Sequence, residues 1–324
     1  MAATAARIVV EDLSKRYGAL EAVRGVSFSV APHEVFGFLG PNGAGKTTTI
    51  QMLATLLPPS GGRAAIDGLD VVRQRGQVRQ RIGLVFQDPT LDERLTGWEN
   101  LKFHGLLYGL SSREVRERAG PLLEMVGLSD RVGDLVRTYS GGMKRRLELV
   151  RGLLHHPKVL FLDEPTVGLD PQTRHQLWEH VVTLARERDT AVFMTTHYMD
   201  EAEHCDRVAI MDHGRIVALD SPEALKRQLG QEVIVLEPAA GDAELAGRLQ
   251  RELGYPVEVQ GREVWIHTPD AGAELARVVT LVGRVRRVEV RRPSLEDVFL
   301  HLTGRAIREE GPQPPGRLWR RRGA

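Results

Sequence analysis

The pattern of apolar and polar positions predicts an α/β core in the first two thirds of the chain. Residues 7–30 alternate between apolar and polar side chains, which predicts antiparallel strands. Short continuous apolar runs follow, and such runs are typical of buried strands. They lie at residues 35–39, 82–86, 159–162 and 191–196. Between the second and third of these runs, residues 88–155 have mainly helical patterns.

A different order begins near residue 231. Residues 231–304 predict strand, helix, strand, strand, helix and strand, with a last helix from Ser294. This is the order of ferredoxin-like α+β domains, so we expect a small C-terminal accessory domain of that class. Residues 305–324 are rich in Pro, Gly and Arg and predict a disordered tail. The basic RLWRRR segment of that tail is a candidate for contact with lipid headgroups.

Composition and charge exclude several classes of function. The formal net charge is +1, so nothing attracts the chain as a whole to nucleic acid or to an anionic membrane. One cysteine, Cys205, excludes an intrachain disulfide and fits a reducing compartment. No apolar run approaches the roughly 18 residues that a membrane-spanning helix needs. We therefore expect a soluble chain, with any membrane part supplied by a partner.

The first candidate for chemistry is a glycine-rich loop, GPNGAGKT, at residues 40–47. It fits the P-loop pattern G-x-x-x-x-G-K-[ST], with a strand predicted before it and a helix, residues 48–57, after it. Glycines let backbone N–H groups approach phosphate oxygens. Lys46 adds positive charge toward the β and γ phosphates, and the Thr47 hydroxyl can ligate Mg²⁺. The nucleotide-binding residues predicted here are Gly40, Pro41, Asn42, Gly43, Ala44, Gly45, Lys46, Thr47 and Thr48.

A P-loop nucleotide site also needs a carboxylate partner. Residues 159–164, VLFLDE, predict a buried strand that ends in two acids. We expect Asp163 to hold the Mg²⁺ shell. Glu164 points elsewhere because the strand ends there, and it is our candidate for the general base that polarises the attacking water. A helix cap is the alternative interpretation of this acid pair.

Residues 139–143, YSGGM, resemble the signature motif of ABC ATPases, which is usually LSGGQ. Other motifs of that family occur in the right order along residues 7–220. They are Tyr17 for the aromatic residue that stacks on adenine, Gln87 for the Q-loop, Gly168–Asp170 for the D-loop and His197 for the switch histidine. Met143 replaces the usual glutamine, and we expect this to alter contacts near the ribose rather than the phosphate contact.

The resemblance implies an ABC nucleotide-binding domain at residues 7–229, with a helical subdomain at about 88–155, that binds ATP and Mg²⁺. The catalytic residues would be Lys46, Glu164 and His197, and His197 would contact the γ-phosphate and position the water. Gln87 would join Thr47 and Asp163 around the metal.

The resemblance also implies that each ATP site is shared between two chains. Ser140, Gly141 and Gly142 begin a helix whose N-terminus suits a γ-phosphate. In the family this end faces the nucleotide of the opposite subunit, so that two copies enclose two ATP molecules head to tail. Asp170 of the D-loop belongs to the same nucleotide-binding set.

The segments DPTLDERLTGWENL and SLEDVFLHLTGR resemble the daunorubicin-resistance type of ABC ATP-binding subunit. This implies an exporter ATPase at the cytoplasmic face of the cell membrane, bound to a separately encoded ABC-2 type membrane subunit and exporting drugs or antibiotics. The helical subdomain would carry the groove for that subunit, and helix core is the alternative role for its apolar residues. Those residues are Leu91, Leu95, Trp98, Leu101 and Phe103.

Other ABC proteins remain as alternatives. A soluble ABC ATPase of DNA repair or translation needs a long coiled coil, zinc cysteines or two cassettes, and this chain has one cassette and one cysteine. An importer ATPase typically has an all-β C-terminal domain, whereas residues 231–304 alternate helix and strand. An adapter that binds ATP without hydrolysing it would not need both Glu164 and His197.

Overall fold

The computed structural model describes residues 6–229, 232–238 and 245–304. The strands are β1 (Ile8–Tyr17), β2 (Leu20–Val30), β3 (Val35–Leu39), β4 (Gly61–Ile66), β5 (Leu69–Asp70), β6 (Ile82–Val85), β7 (Val159–Asp163), β8 (Ala191–Thr196), β9 (Arg207–Asp212), β10 (Arg215–Asp220), β11 (Glu232–Pro238), β12 (Val257–Gln260), β13 (Glu263–Thr268) and β14 (Val285–Arg291). The helices are α1 (Lys46–Leu53), α2 (Arg75–Arg81), α3 (Gly97–Leu107), α4 (Ser112–Met125), α5 (Gly141–Leu153), α6 (Pro171–Glu187), α7 (Met199–Ala202), α8 (Pro222–Gln228), α9 (Leu245–Leu253), α10 (Ala271–Val282) and α11 (Leu295–Thr303). A short 3-10 helix spans Val136–Thr138.

The four continuous apolar runs form the neighbouring strands β3, β8, β7 and β6 of a six-stranded sheet in the order β10-β9-β3-β8-β7-β6. Strand β3 lies parallel to both β8 and β9, and β7 lies parallel to both β6 and β8. All residues of β3, β7 and β8 are buried, as the unbroken apolar runs predict. Parallel strands place their carboxyl ends at one edge, so the segments after β3, β7 and β8 meet there.

The alternating stretch at residues 7–30 forms the antiparallel hairpin β1–β2, as predicted. It joins β4 and β5 in a second sheet of order β2-β1-β4-β5. A cluster of aromatic rings packs this sheet on the first one. It contains Phe28, Phe36, Phe38 and Phe193, with ring centroids 5.3 to 6.4 Å apart.

Helix α1 differs from the predicted span of residues 48–57. It begins at Lys46 and ends at Leu53, well before Pro58. Thr55 has a φ of 64°, in the left-handed region that ends helices, so the backbone stops the helix before the prolines do.

The helical insert is built as its sequence predicts. Ser111 and Glu114 form a capping box at the start of α4. Leu101 of α3 is fully buried in the core of this insert, and Trp98 packs against the same core. Phe103 lies on the other side of α3 and is 62% exposed. Of the apolar residues considered for the partner groove, Leu101 therefore serves the core.

The C-terminal strands form an antiparallel sheet of order β12-β13-β11-β14, which is the ferredoxin-like order. Ile234, Leu249, Ile266 and Val278 belong to a separate hydrophobic cluster between this sheet and helices α9 and α10. Residues 239–244, where the predicted helix before Leu245 would begin, lie outside the described residues. The predicted disordered tail at 305–324 lies outside them as well.

Helix α11 leaves the C-terminal sheet and returns to the core of the first domain. Ser294 and Asp297 form the predicted capping box at its start. Its buried residues Leu295, Val298 and Phe299 belong to the hydrophobic cluster of the first domain. The helix contacts α8 and α7, and α7 follows His197 almost directly. The last helix of the accessory stretch is thus packed beside the nucleotide-binding core. Among the described residues, no helix has the length and apolar character to cross a bilayer.

Candidate active site

The carboxyl edge of the six-stranded sheet holds an open cavity of about 650 Å³. It brings together the glycine loop after β3, the residues after β6, β7 and β8, and the adjoining ends of β1 and β2. Its lining is Tyr17, Leu20, Ala22, Pro41, Asn42, Gly43, Gly45, Lys46, Thr47, Thr48, Gln87, Glu164, Val167, His197 and Tyr198. Most residues predicted from the sequence for one nucleotide site therefore share one cavity.

The glycine loop is shaped by close contacts with its neighbours. At Gly40 a β-carbon would lie 2.2 Å from the carbonyl oxygen of Met211. At Gly45, where φ is 107°, a β-carbon would lie 2.5 Å from the carbonyl oxygen of Ala22. Larger residues at these two positions would displace the loop. Gly40 and Ala44 support the loop without lining the cavity.

Lys46 is the first residue of α1, and its side chain lies back across the glycine loop. It is 5% exposed, and its Nζ donates to the carbonyl oxygens of Gly40 at 2.6 Å and Pro41 at 3.2 Å. The same Nζ lies 3.4 Å from Oε1 of Glu164. Burial lowers the pKa of Lys46, although the Glu164 carboxylate opposes that shift. The carbonyl groups of the loop thus hold the Lys46 ammonium group at the floor of the cavity.

Asp163 and Thr47 place two oxygens side by side behind the loop. Oδ1 of Asp163 accepts from Oγ1 of Thr195 at 2.6 Å and from Oγ1 of Thr47 at 3.2 Å. Burial raises the pKa of Asp163, and these two hydrogen bonds oppose the shift. Neighbouring ligands of octahedral Mg²⁺ are about 3 Å apart, and Mg²⁺ prefers hydroxyl and carboxylate oxygens. The donor set therefore fits Mg²⁺ with phosphate oxygens completing its shell.

Glu164 turns away from β7 through an unusual backbone conformation. Its φ is 45°, which a residue with a side chain adopts only when its surroundings hold it there. Its N–H donates to both the carbonyl and the hydroxyl oxygen of Thr195, at 3.2 and 3.1 Å. The side chain therefore points into the cavity, whereas that of Asp163 stays behind the loop.

The Glu164 carboxylate lies between two cationic or potentially cationic groups. Oε1 faces Lys46 at 3.4 Å, and Oε2 lies 3.3 Å from Nδ1 of His197. Burial acts to raise the pKa of Glu164, but His197 and Lys46 outweigh it and hold the pKa below its ordinary value. The group is thus an ionised carboxylate at neutral pH, which can accept a proton.

The signature and D-loop residues lie elsewhere on the same chain. Ser140 caps α5, its Oγ accepting from the N–H of Met143 at 3.2 Å, as the sequence predicts. Asp170 caps α6 in the same way, accepting from the N–H of Thr173 at 3.0 Å. A β-carbon at Gly142 would lie 2.5 Å from Cγ2 of Thr173, so the two helix starts adjoin each other. Ser140, Gly141, Gly142 and Asp170 are absent from the lining of the cavity.

Sequence reasoning missed three polar residues that support the site. Thr195, near the end of β8, bonds to both acids. Arg145 and Glu148 form a buried ion pair on α5, with the nitrogen and oxygen 3.1 Å apart. The sequence could have indicated this pair, because Arg145 and Glu148 are opposite charges three residues apart on a helix, with apolar residues such as Leu147 and Leu149 beside them.

Comparisons with known proteins agree with this geometry. Residues 23–167 match the family model described as ABC transporter. Residues 221–303 match the model described as ATP-binding protein DrrA1-3-like, C-terminal domain. The linearmycin resistance ATP-binding protein LnrL of Bacillus subtilis is 39% identical over a 308-residue alignment that covers 92% of this chain and 99% of the relative. The daunorubicin resistance ATP-binding protein DrrA3 of Streptomyces coeruleorubidus is 43% identical, over 92% of this chain and 96% of the relative.

Among solved structures, the dimeric post-hydrolysis state of the ATP-binding cassette MJ0796 bound to ADP and Pi is similar to this chain. The TM-score is 0.60 at 25% identity, covering 66% of this chain and 98% of that one. These findings confirm the fold class and the resemblance on which the site was predicted. The chain belongs to the ABC transporter family, as an ATP-binding subunit that is an ATPase.

Proposed function

We propose that this chain hydrolyses ATP in the cavity to drive drug or antibiotic export through a separately encoded ABC-2 type membrane subunit. The observation that carries the chemistry is the Glu164 carboxylate, held 3.4 Å from Lys46 and 3.3 Å from His197 at the floor of a P-loop cavity. The names of LnrL and DrrA3 support the class of cargo, because both are drug-resistance proteins.

In this proposal the polar residues in and beside the cavity have different tasks. Lys46 and the loop N–H groups hold the β and γ phosphates. Thr47, Asp163 and Gln87 would hold Mg²⁺, which would supply positive charge to offset that of the phosphates. Glu164 accepts a proton from the attacking water, and His197 positions that water beside the γ-phosphate.

The adenine would lie at the outer end of the cavity. Tyr17, the last residue of β1, is 46% exposed there, just before the short turn to β2. Lys15 Nζ lies 5.4 Å from the ring centroid on one side. An exposed aromatic face of this kind suits stacking with a base.

A second copy of the chain would complete each site. Ser140 and Gly142 lie at a capped helix N-terminus that suits phosphate, yet they do not line the cavity of their own chain. A head-to-tail pair would bring that helix end to the γ-phosphate bound by the other copy. The MJ0796 cassette, which is dimeric in its post-hydrolysis state with ADP and Pi, supports this arrangement.

The surface of α3 is the candidate docking site for the membrane subunit, which would keep the chain at the cytoplasmic face of the membrane. Phe103, Leu106 and Leu107 are 62%, 52% and 69% exposed on this one helix. A cavity of about 470 Å³ beside the same helix has His104, Tyr108 and Thr90 of the Q-loop segment among its lining. A partner seated there would contact the helical insert and the segment after Gln87 together.

Affinity capture from native membranes tests this proposal. The tagged chain is purified with ATP from detergent-solubilised membranes, and co-purified proteins are identified by mass spectrometry. We expect a polytopic membrane protein in near-equal amount, lost with Leu107→Asp and kept with the control Val259→Asp, which changes a similarly exposed apolar residue of the C-terminal sheet. Capture of soluble proteins or nucleic acid alone would overturn the transport role and support a soluble ABC ATPase, which the comparisons do not favour.

A further inference from the structure

The Arg145 side chain connects the signature helix with the backbone of the active site. It is 6% exposed and lies one turn after the start of α5. Its Nη2 donates to the carbonyl oxygens of Asp163 and Glu164, at 3.3 and 3.2 Å, and its Nε donates to that of Pro165. Its Nη1 donates to the Phe86 carbonyl and to Oε2 of Glu148. The five N–H groups of the guanidinium thus all have acceptors.

Glu148 extends this connection to the other side of the Q-loop glutamine. Its side chain is fully buried. Oε1 accepts from the N–H of Thr90 at 2.7 Å and from its hydroxyl at 3.2 Å, while Oε2 accepts from Arg145. Arg151, one turn further along α5, donates to the carbonyl oxygen of Thr90 at 3.0 Å. Thr90 is therefore held from its N–H, its hydroxyl and its carbonyl by one face of α5.

These bonds reach both flanks of Gln87. The Phe86 carbonyl precedes Gln87 directly, and the Thr90 N–H follows it by three residues. The same arginine holds the carbonyls of Asp163 and Glu164. This turn of α5 therefore fixes the backbone of residues 86–90 relative to the end of β7. Neither Arg145 nor Glu148 lines the cavity itself.

We propose that Arg145 and Glu148 are positioning residues of the ATPase: they hold Gln87 and Glu164 at a fixed distance from the signature serine on the same chain. The inference rests on the proposed function, because that serine is expected to serve the partner's nucleotide. A change in the nucleotide site of one chain is thereby transmitted along α5 to its N-terminal end. That end is the part of the chain presented to the nucleotide of the partner copy. A lysine at 145 cannot replace the arginine, since it offers three donors from one point rather than a planar fork.

Substitutions in the full-length chain test this role. Glu148→Gln keeps the shape of the side chain but removes its charge, and Arg145→Lys keeps the charge but loses the fork. We expect each to lower kcat for ATP hydrolysis by about tenfold or more, with KM for ATP within about twofold of the wild type. Hydrogen exchange of the Thr90 N–H accelerates, whereas exchange in the glycine loop at residues 40–47 is unchanged.

The matched control is Lys144→Met. Lys144 neighbours Arg145 on α5, and its ion pair with Glu93 at 2.5 Å lies near the surface. We expect this variant to keep kcat, KM and exchange at Thr90 within about twofold, because exposed ion pairs contribute little.

The double variant Arg145→Met/Glu148→Met separates positioning from folding. No unpaired charge is left at either position, so we expect the double variant to unfold at a higher temperature than Arg145→Met or Glu148→Met alone. We expect kcat to stay low, because Thr90 and the carbonyl groups of residues 86 and 163–165 have lost their partners. Recovery of kcat together with stability would overturn the proposal, and so would single variants with unchanged kcat and unchanged exchange at residues 86–90. If the wild type itself hydrolyses no ATP, the proposed function fails, and the exchange at Thr90 still decides whether the pair holds this segment.

Discussion

The nucleotide-binding core and the C-terminal sheet of this chain treat polar side chains in opposite ways. The core buries charged groups where its strands end, among them Lys46, Asp163 and Glu164. In the described part of the C-terminal sheet and its helices, Thr268 is the one buried polar residue. Burying a charged side chain costs free energy unless it is paired. A region that keeps several buried charges is therefore a candidate for a functional site. The comparison therefore favours the core, where the buried charges lie, as the region of the proposed chemistry.

The largest expected effect is that of Glu164→Gln. The amide keeps the size of the side chain but cannot accept the proton from water, so we expect kcat to fall by about 10²–10⁴-fold. ATP binding is retained, and ATP-bound dimers accumulate. Steady-state turnover and size-exclusion chromatography with Mg²⁺ and ATP measure both. Unchanged turnover would remove Glu164 as the base and weaken the contrast between the two regions.

A core substitution in the C-terminal domain comes next. Leu249 of α9 is fully buried, and Leu249→Ala is expected to cost that domain about 2–5 kcal/mol of stability. Because its cluster is separate from the nucleotide core, kcat and KM for ATP should change by less than about twofold. Hydrogen exchange along β13 reports the stability, and an ATPase assay reports the activity. A loss of turnover at a temperature where the core stays folded would show that this domain takes part in the chemistry.

An ion-pair cluster at the edge of the core provides a pH test. Lys158 and Arg7 hold the pKa of Asp189 down to about 2, whereas its ordinary value is 3.8. A depressed pKa contributes stability above pH 3.8, and this contribution disappears as the pH falls toward 2. Asp189 is half exposed, so we expect Asp189→Asn to cost less than about 1 kcal/mol at pH 7. Urea unfolding at pH 7 and pH 3 should show the difference shrinking at the lower pH; a growing difference would contradict the assignment.

The smallest effect is expected on the C-terminal sheet surface. Arg287 is 60% exposed and pairs with Glu289 and Glu263. We expect Arg287→Ala to change stability by less than about 0.5 kcal/mol and to leave turnover unchanged. A clear change in ATPase activity or in binding of an anionic ligand would show that the basic strand β14 is more than a solvated face.

Local sequence patterns were sufficient to predict most helices and strands and most residues that line the cavity. Apolar runs predicted β3, β7 and β8, and the motifs that follow these strands meet because parallel strands end at one edge. The direction of Glu164 was also expected from the end of β7, and its positive φ accounts for it. These features depend on neighbours in sequence or on one topological rule.

What the sequence did not reveal depends on contacts between distant segments. The hydrogen bonds of Arg145 join residues 86, 148 and 163–165, and no local pattern specifies that convergence. Helix α11 was grouped with the C-terminal stretch by its position in the chain, yet Phe299 packs in the first core. The early end of α1 depends on the φ of Thr55 rather than on a proline.

The most direct test of the account is a mixing experiment with two inactive variants. In Lys46→Ala the chain loses its own phosphate contact, and in Ser140→Arg it loses the signature serine that it would present to a partner. If each site is shared, a mixed dimer contains one site with both an intact Lys46 and an intact Ser140. We therefore predict that mixing the two variants restores ATP turnover, up to about a quarter of the wild-type rate for random pairing with independent sites. No restoration, in mixtures shown by differential tags to contain mixed dimers, would contradict the shared site.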